Sequence, residues 1–287
     1  MATLKQIRQR IKTAKNIRQI TRAMKLVAAA RLKRAQDKVL EARPYSDKMR
    51  EFMLSVSEAG ALPAHPLLER REVKRYAVIL VSAERGLAGS YNTNILRRCA
   101  DFLKENPQDH VLITVGKKGN LFFGKRGSKV AHNLTVPSSG ATYENAVEVT
   151  KVATELFTSG EVDAVYVIYA KFFSAIRQTP QVVQLLPIEP PKREEAAAGP
   201  SKEYKFEPSP EELLGILLPK YTLTLTYQAL LESTASEFGA RMTAMTSATD
   251  NAGAMITQLT LVANRARQAS ITKEILEVVG GAEALNG

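Results

Sequence analysis

The chain has 287 residues, 45% of them hydrophobic, which is enough for one medium-sized core plus an appendage. Its single Cys99 excludes a disulfide framework, and no apolar run approaches the roughly 18 residues that a membrane-spanning helix requires. The formal net charge of +11 is concentrated at the start: residues 1–36 hold eleven Lys and Arg with no acid before Asp37, and the rest of the chain is balanced.

From Leu4 the apolar residues fall at Leu4, Ile7, Ile11, Ala14, Ile17, Ile20, Met24 and Val27. Steps of three and four predict a helix with an apolar seam that drifts left-handed. One position over, Lys5, Arg8, Lys12, Lys15, Arg18, Arg22 and Lys25 form a cationic stripe. An Arg-rich, acid-free start has the charge of a mitochondrial presequence, but such segments are rich in Ser and the first Ser here is Ser46, so we expect the segment to be retained. The helix should run to about Val56, with Pro44 a candidate bend, and stop at Gly60, Pro63 and Pro66.

A different kind of sequence follows. Val73 to Ser82 and Val162 to Ala170 are β-branched and aromatic runs of the kind that form strands buried on both faces, and Val111 to Val115 is a shorter one. Tyr91 to Glu105 and Tyr143 to Ser159 read as amphipathic helices, and Thr179 to Leu186, with Pro180 near its start, as an edge strand. Strands alternating with helices imply a small, mostly parallel sheet covered by helices.

Six of the 13 prolines lie between Pro187 and Pro210, mixed with charges, which marks a linker. Beyond it Leu231, Ala235, Phe238, Met242, Met245, Ala248, Ala252, Met255, Leu259, Val262, Ala266 and Ala269 form a second seam of period near 3.5. Pro219 either kinks this helix or precedes its start. From Lys220 to Ala284 such a helix spans about 100 Å at 1.5 Å per residue, against a radius of gyration of roughly 19 Å for a compact chain of this size. Two long seams at opposite ends of one chain bury each other most simply as an antiparallel pair. The lengths differ, so about 20 Å or more of the C-terminal helix should overhang.

The expected class is therefore α/β: a long antiparallel two-helix coiled coil from the N- and C-termini plus a small Rossmann-like domain with a mostly parallel sheet. The expected divisions are an N-terminal coiled-coil helix at 1–58, the α/β domain at 73–188, a Pro-rich linker at 189–209 and a C-terminal coiled-coil helix at 210–287.

Motifs for chemistry are weak. Gly119 to Arg126 approaches the phosphate-binding G-x-x-x-x-G-K-[S/T] but lacks the hydroxyl that would hold magnesium, and Leu121, Phe122 and Phe123 are bulky where small residues are needed. Gly86-Leu-Ala-Gly89 reads as a strand-to-helix turn, with an anion cradle as the alternative. His65, His110 and His132 are too scattered for a zinc or haem site by spacing. We expect no catalytic, cofactor-binding or metal-binding residues. The stripe is the stronger signal: a solvated helix face ordinarily mixes both signs, so cations without acids suggest an acidic protein partner. A basic coiled-coil scaffold or nucleic-acid-binding protein is the alternative reading. The last turns, with Ile271, Ile275, Leu276, Val278, Val279 and Leu285, are apolar over most of their surface and need an enclosing partner.

Ile7 to Ala30, the turn Ser82 to Asn92, and the stretches Ser236 to Met242, Arg267 to Thr272 and Gly280 to Ala284 closely resemble the gamma subunit of F-type ATP synthases, bacterial type. The likeness covers nearly the whole chain, although Glu84 and Ala88 stand where many relatives carry Asp and Cys, and there is no paired-cysteine regulatory insert. The resemblance implies a non-catalytic rotor shaft that couples ion-driven rotation of a membrane c ring to ATP synthesis or hydrolysis at alpha and beta subunits. It implies alpha, beta and epsilon subunits and the c ring as partners, no nucleic acid, and a peripheral place on the cytoplasmic face of a bacterial inner membrane. By the same resemblance Met24, Lys25, Arg241, Gln268 and Thr272 would contact beta subunits. Tyr204, Phe206 and Glu207 would touch the c ring, and Ile275, Leu276, Val278, Val279 and Leu285 would turn in an apical bearing.

Overall fold

The computed structural model describes residues 3–58, 65–189 and 210–286, with the side chains at 57–58, 210–213 and 283–286 left aside. Tyr204, Phe206 and Glu207 lie outside the described residues, as does nearly all of the expected linker. The chain divides into two compact units, Met1–Val27 with Met242–Gly287, and Ala28–Arg241. Helices α1 (Leu4–Glu58) and α5 (Pro210–Asn286) each contribute to both.

The larger unit is built on five strands: β1 (Arg75–Val81), β2 (Asp109–Val115), β3 (Val130–Leu134), β4 (Ala164–Ser174) and β5 (Arg177–Leu186). Their order is β3-β2-β1-β4-β5, parallel except for β5, which pairs antiparallel with β4 at the edge. This is the order of the first five strands of a doubly wound sheet. Strand β1, RYAVILV, is buried along nearly its whole length because it lies in the middle of the sheet with both faces covered. Tyr76, Val78 and Leu80 face α2 (Tyr91–Glu105) and α3 (Lys117–Gly124), where Ile95, Cys99, Phe102 and Phe123 complete one core. Ala77, Ile79 and Val81 face the other way, onto α4 (Tyr143–Thr158), the end of α1 at Met49, Met53 and Val56, and α5 at Leu214, Leu218 and Leu230.

Helix α4 is started by Thr142, whose hydroxyl accepts from Asn145 N while the Asn145 side chain accepts from Thr142 N. Gly140, just before it, has φ of 111° and lies so close to α5 that a Cβ would stand 2.5 Å from Thr234 Cγ2. Only glycine satisfies both demands. Pro219 lies inside α5 and Pro44 inside α1, and neither ends its helix.

Helices α1 and α5 run antiparallel within each unit. In the larger unit Arg31 lies against Phe238 and Arg50 acts on Tyr221; in the smaller, Thr249 Oγ1 donates to Thr21 Oγ1 at 2.8 Å and Arg18 faces Gly253. Residue numbers thus rise on one helix as they fall on the other.

The seams differ in detail from the sequence expectation. On α1 the buried positions are Ile7, Ala14 and Thr21 in one unit, and Ala28, Leu32, Ala35, Val39, Met49, Met53 and Val56 in the other. Ile17, Ile20 and Val27, expected in the seam, are 47%, 59% and 51% exposed. The expected row takes three successive steps of three from Ile11 to Ile20, which advance too slowly for a 3.5-residue repeat and carry those side chains off the interface. The same slip occurs on α5: after Met245 and Ala252 the interface takes Ile256, Leu259, Ala263 and Ala266, each half-buried, and leaves Met255 and Val262 exposed.

Candidate functional site

Three surfaces are candidates, and the first is the outer face of α1. Lys5, Arg8, Lys12, Lys15, Arg18 and Arg22 are all exposed; Met24 and Lys25 are half-buried. The acids of this unit, Asp250, Glu274, Glu277 and Glu283, all lie on α5. The observed register also exposes Ile17, Ile20, Leu26 and Val27 among the cations, which the apolar spacing did not indicate. A 3.5-residue count from Ile7 passes through Ala14, Thr21 and Ala28, all buried, and leaves Ile20 and Val27 one position off it. The face therefore offers cations and apolar area together, which suits a partner that is acidic and partly apolar.

The second is the far end of α5. Every described side chain from Arg267 to Ala282 is exposed, because α1 begins at Leu4 and supplies nothing opposite this segment. About 25 Å of helix is thus bare among the described residues, at 1.5 Å per residue. Ile271, Ile275, Leu276, Val278 and Val279 are 48%, 56%, 66%, 72% and 53% exposed. Gln268 and Thr272 lie on the same segment, where Thr272 Oγ1 donates to Gln268 O at 3.0 Å. The side chain of Leu285 lies outside the described residues.

The third is the crevice at the C-terminal ends of β1 and β4, where the strand order reverses and doubly wound folds bind ligands. Here α5 fills it. Ser233 Oγ is 2.7 Å from the Tyr91 hydroxyl, and Ser236 Oγ donates to Ala170 O at 2.9 Å. Burial holds the Tyr91 hydroxyl far above the usual phenol range, so it stays protonated. The Arg241 guanidinium meets Glu237 Oε1 at 2.6 Å and donates to Gly86 O at 3.3 Å. The Gly86–Gly89 turn is thus tied to α5 through a carbonyl and a cation.

The near-miss phosphate motif forms no phosphate loop. Gly119 lies inside α3, and its N–H donates to Ser82 Oγ at 2.8 Å. His65 Nδ1 accepts from Leu67 N, and His132 Nε2 meets Glu148 Oε1 at 2.8 Å. Among the described residues no group of three His, Cys, Asp or Glu could hold a metal ion, and no helix is long and apolar enough to cross a membrane.

The family model described as ATP synthase matches residues 3–285. The chain is 47% identical over 285 residues to the ATP synthase gamma chain of Pelotomaculum thermopropionicum, covering 99% of this chain and 100% of that one. It is also 47% identical over 285 residues to the ATP synthase gamma chain of Symbiobacterium thermophilum, covering 99% of this chain and 98% of that one. Among solved structures it is similar to a chain of the Euglena gracilis mitochondrial ATP synthase (OSCP/F1/c-ring), with a TM-score of 0.67 at 17% identity over 98% of this chain and 94% of that one. A chain of the Tetrahymena thermophila mitochondrial ATP synthase central stalk and c-ring gives a TM-score of 0.59 at 24% identity over 80% and 99%. At these identities the two structures speak to the fold.

Proposed function

The chain belongs to the ATP synthase gamma-chain family, and from that premise we propose how it works as the rotor shaft of the complex. The observation that carries the mechanism is the bare, apolar end of α5. An exposed apolar segment of this length is a liability unless other proteins surround it, and an apolar surface has no directional bonds to lock it in one orientation. It can turn inside its enclosure. The cationic face of α1 complements this, because exposed ion pairs contribute only about 0.2–1 kcal/mol each. Successive acidic segments can engage and release it without any one holding it.

In this reading the enclosure is the ring of alpha and beta subunits, with epsilon and the c ring as further partners. Met24, Lys25, Arg241, Gln268 and Thr272 meet beta subunits, and Ile275, Leu276, Val278, Val279 and Leu285 turn in the apical bearing. Tyr204, Phe206 and Glu207 reach the c ring. Each beta subunit meets a different side of an asymmetric shaft, and the differing contact energies bias nucleotide affinity. The chain itself is non-catalytic, a reading supported by the crevice that α5 fills with Ser233 and Ser236. It is held peripherally, on the cytoplasmic face of a bacterial inner membrane.

The test is reconstitution with alpha and beta subunits, with a bead attached through a cysteine introduced at exposed Lys104 after Cys99→Ala. Stepwise rotation of the bead during ATP hydrolysis is the expected result. Hydrolysis by the assembled complex with a stationary bead would overturn the reading.

A further inference from the structure

The β4–β5 hairpin outruns the sheet that carries it. Strand β4 pairs with β1 only as far as Ile168, while its pairing with β5 continues to Ser174 opposite Arg177. At the tip Ile176 is 84% exposed, more than any other large apolar side chain among the described residues, and Phe173 is 48% exposed. Single exposed apolar side chains are ordinary on a surface, whereas apolar side chains gathered at one place and rimmed by polar ones are the pattern of an interaction site.

The tip is firmly built. Gln178 Nε2 donates to Ser174 O at 3.0 Å and to Ala175 O at 2.7 Å, and Arg177 N donates to Ser174 Oγ at 3.1 Å. Behind it Gly239 of α5 packs so closely that a Cβ there would stand 3.2 Å from Ala175 Cα. Docking onto a fixed platform spares the entropy of ordering a loop.

Its charge is one-sided. Arg177 Cζ lies 5.0 Å and Lys171 Nζ 5.7 Å from the centroid of the Phe173 ring, and no acid occurs between Asp163 and Glu189. Neither cation is in an ion pair among the described residues. Two cations flanking an exposed ring beside an exposed isoleucine are complementary to a segment that carries carboxylates next to apolar side chains.

We propose that this hairpin is a docking surface for an acidic, partly apolar polypeptide segment of another subunit of the complex. The inference rests on the reading of the chain as part of an ATP synthase, and adds a contact separate from the two long helices. The experiment places a photo-crosslinking benzoylphenylalanine at Ile176, where the exposure makes the substitution tolerable, and irradiates the assembled complex. The expected result is an adduct to one peptide rich in Asp and Glu and containing apolar residues. Its yield should fall about fivefold in the Lys171→Glu/Arg177→Glu variant, as two surface ion pairs of about 0.5 kcal/mol each would give. An active complex that yields no adduct, or an adduct only to lipid or to a peptide without acids, overturns the docking surface and leaves the shaft reading intact. Failure of the unmodified chain to enter any complex overturns both.

Discussion

Arg241 and Glu237 form an ion pair one turn apart on α5, with Nη1 2.6 Å from Oε1 and side chains only 12% and 19% exposed. Burial raises the Glu237 pKa, and the Arg241 guanidinium opposes that rise. Both Arg241 and Arg31 lie within 6 Å of the buried Phe238 ring, and Arg241 also reaches Gly86 O. The pair therefore fixes the turn after β1 to the helix that fills the crevice.

Removing one partner should cost more than the pair is worth. Arg241→Ala leaves a buried carboxylate, and we expect a loss on the order of 2–3 kcal/mol at pH 7. A carboxylate whose folded pKa is raised favours its protonated form in the fold. Its contribution is fully present below the ordinary value of 4.5 and is lost as pH rises through the folded pKa. The Arg241→Ala penalty should accordingly be small at pH 4 and grow toward pH 7, while Glu237→Gln should remove this loss. Urea melts of the full chain at both pH values, read by the near-ultraviolet circular dichroism of its tyrosines, measure the difference. An Arg241→Ala penalty independent of pH would mean that the charge on Glu237 is not what the arginine answers.

Ile7 is 4% exposed and Ile20 is 59% exposed, although the residue spacing alone assigns both to the interface. Ile7→Ala should cost about 2–4 kcal/mol of local stability, and Ile20→Ala less than about 0.5 kcal/mol. Amide hydrogen exchange over residues 4–27 of the isolated chain reports each loss. Equal effects would restore the seam that spacing suggests.

Most of the fold was legible because its signals are local. The run RYAVILV, buried on both faces, and the apolar spacing of α2 each state their own structure, and Pro180 marked β5 as an edge. Strand β3 was not legible: VAHNL carries His132 and Asn133, is exposed at alternate positions, and sits on the opposite edge. The seams were legible as helices and misplaced in register, because a row of steps of three does not show that Thr21, rather than Ile20, meets Thr249 across the interface. The crevice was illegible for the same reason. Nothing near Tyr91 in sequence indicates that Ser233 will meet it.

The acid-free face of α1 supports the last prediction. Replacing Arg8, Lys12, Lys15 and Arg18 with Glu reverses four exposed charges, none of them at the buried seam positions Ile7, Ala14 and Thr21 although Arg18 also lies against Gly253 of α5, so the isolated chain should keep its helix content. Each reversal turns a weak attraction into a repulsion of similar size. Four of them amount to several kcal/mol at low salt and less at high salt, where the Debye length falls from about 10 Å at 0.1 M toward 3 Å at 1 M. Ion-driven ATP synthesis by the reconstituted complex should therefore drop by at least about tenfold at low ionic strength, with part of the loss recovered as salt is added. Unchanged coupled synthesis would remove the stripe from the mechanism. Salt-dependent binding of duplex DNA by the assembled complex, lost in the same variant, would instead assign the stripe to nucleic acid, where the slope of affinity against salt counts the phosphates neutralised.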